Sequence, residues 1–136
     1  MQLVKPVERG KAQTVERDMD LIRELLLRIA ANPELNGTHL YAFSPADNFG
    51  DHSVEEINYH MDLLFEAGFI EGNPKSDVPM VSKLTWKGHE FVDNVRDSGV
   101  WSSVKERIKG LPSVGITVIG ELALAEVKKR WTCPQE

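Results

Sequence analysis

The chain has 136 residues, of which 41% are hydrophobic and 27% charged, and carries a formal net charge of −5. These fractions suit one globular domain around one core and exclude a wholly disordered, collagen-like or linker-dominated chain. The single cysteine, Cys133, excludes an intramolecular disulfide framework and favours a reducing compartment. The negative balance excludes a whole-protein basic field for nucleic acid, though not a local basic patch.

Residues 1–13 read as a flexible polar arm. Lys5, Arg9 and Lys11 are not followed by an apolar run, so no signal peptide is expected. Leu25, Leu26 and Leu27 make the longest apolar run in helix-like sequence, far short of the ~18 residues a membrane span needs. A cytoplasmic protein without a membrane partner is the expectation. Residues 14–31 read as an amphipathic helix, with Met19, Ile22, Leu25, Leu26 and Ile29 on one face. Thr14 or Asp18 caps its start, and Asn32-Pro33 stops it. Residues 32–52 follow as a long irregular stretch with one short strand candidate, His39 to Phe43. Such a connection is unusual in a compact domain, so it carries function or hides a short helix or turn within Pro45 to Asn48.

Ser53 and Glu56 form a capping box for a helix whose inward stripe is Val54, Ile57, Met61 and Leu64, and Gly68 ends it. Phe69-Ile70 starts a strand, residues 73–77 make a polar turn, and Met80 to Leu84 form a second strand. Thr85 caps the next helix, with Trp86, Phe91, Val92 and Val95 inward. Helix, glycine, strand, turn, strand, helix is the order of a winged helix. The expected fold is therefore mainly α with a small antiparallel β wing (α+β): a winged-helix-like core over 14–97 and a helical extension of the same domain over 98–136. In that extension Ser98 caps a helix to Lys109, with Val100, Trp101, Val104 and Ile108 inward. A last helix runs from about Ser113 to Trp131 and is apolar on several sides. The first helix or a second subunit would cover it, which makes Val118, Ile119, Leu122 and Ala125 the candidate seam of a homodimer.

Several blocks together resemble a known family: Arg17 to Arg23, Glu55-Glu56-Ile57 with Tyr59-His60 and Leu63-Leu64, Glu66 to Ile70, Leu84 to Phe91, then Arg96-Asp97 and Trp101. They are similar to the small bacterial and prophage proteins grouped as domain of unknown function 2513, over about residues 17–130. The Leu-Thr-Trp-Lys-Gly-His-Glu-Phe block is the most specific part. The resemblance implies a winged-helix group and no established activity. The piece Leu63 to Ile70 also resembles the recognition-helix end of many winged-helix transcription regulators, although this chain has no clear second helix before Ser53.

Charge placement argues against that regulator likeness. Between Arg28 and Lys75 there is no Lys or Arg, while Glu34, Asp47, Asp51, Glu55, Glu56, Asp62, Glu66 and Glu71 fall in the interval. The presumed recognition helix presents Glu55, Asn58, Tyr59, Asp62 and Glu66, a face that would meet phosphates with like charge and release no counterions. Lys75, Lys83 and Lys87, on the wing and the helix behind it, are the candidate contacts to double-stranded DNA. Lys128, Lys129 and Arg130 complement the carbonyl end of the last helix. His39, His52, His60 and His89 show no metal spacing, and Cys133 has no evident base. Asp51, His52 and His60 read as a capping turn with a partly buried His60, and Trp86 and Trp101 as core or seam anchors. No catalytic residue, metal or cofactor is implied. The expected function is a non-catalytic winged-helix regulatory protein of bacterial or prophage type. The alternative is a protein-interaction module that uses its acidic helix face and the loop Thr38 to Gly50 and never touches DNA.

Overall fold

The structure, a computed structural model, describes residues 17–110 and 115–132. Its described elements are α1 (Met19–Ala31), a 3-10 turn (Pro45–Asp47), α2 (Val54–Ala67), β1 (Ile70–Asn73), β2 (Met80–Leu84), α3 (Trp86–Val95), α4 (Ser98–Ile108) and α5 (Ile116–Thr132). The fold is mainly α with one antiparallel hairpin, the α+β class the residue pattern predicts.

The Asp18 carboxylate caps α1 by accepting the N–H groups of Asp20 and Leu21. The expected cap at Thr14 lies outside the described residues. Leu21, Ile22, Leu25, Leu26 and Ile29 are all buried, and α1 packs on α2, α3 and β2. Burial at about 1.5–3 kcal/mol per large side chain makes this stripe the spine of the core.

The stretch after α1 does hide a short element. Ser44 and Asp47 form a capping box around the 3-10 turn, and Asn48 closes it in the left-handed region at φ 66°. The strand expected over His39 to Phe43 is reduced to one bridge, Tyr41 to Val81, on the outer edge of β2. Beyond it the chain turns inward to bury Phe43 and Phe49 edge to face, with ring centroids 5.5 Å apart. Arg28 pins the loop by donating to the carbonyls of Asp47 and Asn48, and its guanidinium lies 4.4 Å over the Phe49 ring.

The Ser53–Glu56 capping box starts α2 as expected, and Gly68 ends it at φ 79°, where a Cβ would be strained. Ile57, Met61 and Leu64 point into the core, but Val54, at the first helical position, is exposed. β1 and β2 pair Ile70 with Leu84 and Asn73 with Met80, with a bulge between Glu71 and Gly72. Trp86 departs most from expectation. It is 79% exposed. The inward residues of α3 are Gly88, Phe91, Val92 and Val95, and at about 100° per residue Trp86 stands half a turn away from Val95.

Asp97, one residue before the expected Ser98, caps α4, which buries Val100, Trp101 and Val104. The Trp101 indole N–H donates to Asp20, which also holds Lys105 at 2.8 Å. Those partners hold the Asp20 carboxyl below its usual range against the opposing effect of burial. α5 docks on α3 and α4; its expected start at Ser113 lies outside the described residues. Ile119 and Ala123 are fully buried against this chain's own core, so Ile119 is removed from any seam between copies. Val118 and Ala125 are exposed and Leu122 is half-buried. His60, read as partly buried, is 1% exposed.

Candidate interaction surface

α2 carries a row of exposed carboxylates that form no ion pair among the described residues. Because its inner stripe is fixed by Ile57, Met61 and Leu64, the helical repeat sends Glu55, Tyr59, Asp62 and Glu66 to the outside, with Asn58 half-buried at the margin. Neither Glu55, Asp62 nor Glu66 forms an ion pair among the described residues. Partial burial pushes the Asp62 carboxyl up, and the Glu66 charge one helical turn on adds to it.

The three lysines do not make a matching basic face. Lys87 donates from Nζ to the Ala67 carbonyl at 3.1 Å and lies 5.5 Å from the Phe69 ring centroid. It satisfies an orphan carbonyl at the end of α2 and favours the negative end of that helix. Lys83 stands 3.8 Å from Glu71 across the hairpin. Lys75, exposed in the turn, has no ion pair among the described residues. Three of the cations nearer the C-terminus are matched as well: Lys105 by Asp20, Lys109 by Glu106, and Arg130 by the buried Glu126 at 3.0 Å. Each exposed pair contributes about 0–1 kcal/mol to stability, yet each also lowers the local positive field.

Trp86, expected inside from its apolar character, supplies a second feature on the surface. It stands beside a recess of about 440 Å³ whose lining includes Ile29, Leu35, Lys83, Leu84 and His89. A large exposed indole beside a recess of mixed lining is the kind of anchor that protein interfaces bury. Trp86→Ala is expected to shift folding stability by less than ~0.5 kcal/mol in urea denaturation, whereas a loss above ~2 kcal/mol would require the indole to be packed.

Asp51 takes no part in a cluster with the histidines; His52 lies instead between Asp18 and Glu56. No three or more His, Cys, Asp or Glu side chains among the described residues are arranged to hold a metal ion. No described helix is long and apolar enough to cross a membrane.

These features define a helical α+β domain with a short hairpin wing, an acidic exposed helix and an unburied tryptophan. The chain belongs to the family described as "Hypothetical protein (DUF2513)", which matches residues 16–115. That match contains the Leu84 to Phe91 block and ends just before α5, short of residue 130, the expected limit of the resemblance. A protein of Haemophilus influenzae described as "Uncharacterized protein" is 35% identical over 99 residues, covering 70% of this chain and 80% of the relative. No solved structure matches.

Proposed function

We propose that the protein is a non-catalytic regulatory module of winged-helix type whose α2 binds a basic surface on a protein partner instead of entering duplex DNA. The observation that carries this reading is the outer face of α2, where Glu55, Asp62 and Glu66 form no ion pair among the described residues. A duplex presents one negative charge per ~1.7 Å of axis, and binding it depends on several Lys or Arg contacts that release counterions. Here Lys87 is committed to the Ala67 carbonyl and Lys83 is beside Glu71. Tyr59, 38% exposed among the carboxylates, gives the face an apolar contact with a polar tip. Trp86 offers a second anchor. The DNA reading keeps one specific support: Lys75 at the wing turn has no ion pair among the described residues.

A mobility-shift titration against random-sequence duplex tests the choice. The wild-type chain is expected to give no shift at low salt, where charge attraction is least screened. The triple variant Glu55→Lys, Asp62→Lys, Glu66→Lys is expected to gain a salt-steep shift. A lysine-rich helical peptide is expected to bind the wild type with salt-dependent affinity and to lose that affinity in the triple variant. A wild-type duplex shift abolished by Lys75→Ala with Lys83→Ala would overturn the reading.

A further inference from the structure

The two buried polar side chains among the described residues are Glu126, paired with Arg130, and His60. His60 sits on the inner side of α2 at 1% exposure. Its Nε2 accepts the backbone N–H of Asp18 at 2.8 Å, and its Nδ1 lies 2.7 Å from the Glu56 carbonyl oxygen. A backbone N–H only donates and a carbonyl only accepts. Both bonds therefore require the neutral ring with its proton on Nδ1. Asp18 is the cap of α1 and Glu56 lies in the first turn of α2, so one imidazole ties the starts of two helices together.

We propose that His60 is a proton-sensitive clasp: a proton added at Nε2 would face the Asp18 N–H donor to donor, breaking that bond and freeing the α1 cap from α2. The inference does not depend on what α2 binds. The groups that face the ring come from three places. His52, in the approach to α2, lies 3.5 Å from Asp18 Oδ2 through Nε2 and 3.5 Å from Glu56 Oε1 through Nδ1. The Asp18 and Glu56 carboxylates favour a charge on His60, while a charged His52 opposes it. Tyr59 presents its uncharged ring edge-on, 5.5 Å between centroids.

Burial outweighs the carbonyl and the carboxylates and lowers the His60 pKa from 6.5. The unfolded chain binds this proton more readily than the folded one, so the clasp stabilises fully above the ordinary histidine value. That contribution is lost as pH falls below 6.5 toward the lowered folded value.

Nitrogen-15 NMR of the full chain, titrated from alkaline to acid pH, reads the ring directly. The expected result is an Nδ1–H tautomer for His60, a midpoint below 6.5, and an Asp18 amide signal that moves with that same midpoint. His52→Gln is expected to raise the His60 midpoint by removing the opposing charge. An Nε2–H tautomer, a midpoint at or above 6.5, an Asp18 amide indifferent to the titration, or a midpoint lowered by His52→Gln would each overturn the clasp.

Discussion

Gly88→Ala is expected to destabilise the protein by about 3 kcal/mol, seen as a lower urea midpoint at unchanged slope. Two effects of opposite sign meet at this position. Gly88 lies inside α3, where intrinsic propensity alone would make alanine the better residue by about 1 kcal/mol. A Cβ there, however, would fall 2.1 Å from the Phe69 carbonyl oxygen and 3.2 Å from Leu84 Cδ2. The leucine methyl can yield; the carbonyl cannot yield cheaply. Phe69 O accepts the Thr85 N–H, while the Thr85 hydroxyl donates to the Gly68 carbonyl and accepts the Gly88 N–H. Moving α3 outward would pull on the cap of α3, the end of α2 and the base of the hairpin together. Sterics therefore wins over propensity. A variant more stable than the parent would show that the α3–β1 approach is looser than 2.1 Å implies.

Leu25→Ala is expected to cost about 2–5 kcal/mol in the same measurement, through lost transfer energy and the cavity left behind. Leu25 is fully buried at the middle of α1, and α1 is held between α2, α3 and β2. With three neighbours fixed by their own caps and pairings, collapse into the void is restricted, which places the loss toward the upper part of the range. A loss below ~1 kcal/mol would mean that the core relaxes around the deletion.

Features that depend on a few neighbouring residues were legible in the sequence. The Ser53–Glu56 capping box, the glycine at 68, the Thr85 cap and the polar turn of the hairpin all stand where local chemistry puts them. Trp86 lies outside what composition can tell, because apolar character does not give direction; its angle around α3 faces it away from the core. An α5 apolar on several sides leaves the placement of Ile119 open, and only the docking of α5 on α3 and α4 says which side is used. Long-range polar contacts were invisible for the same reason. Nothing near Arg28 in sequence announces the carbonyls of Asp47 and Asn48, and nothing near Lys87 announces that of Ala67. The acidic face of α2 was readable because period and charge share one helix. Its significance rests also on the engagement of Lys83 by Glu71 and of Lys87 by the Ala67 carbonyl, which no local pattern announces.

The segment beside β2 has a consequence for how these molecules meet in solution. An isolated pair of strands leaves two rims of unpaired amides, each a template for another chain. One rim is partly closed, because Gly37 donates to Ser82 and Tyr41 exchanges both backbone bonds with Val81. Along the other, the bulge at Glu71–Gly72 breaks the regular spacing and an exposed carboxylate stands beside it. Both borders of the hairpin are thus poorer templates for strand-to-strand polymerisation than two regular open edges would be.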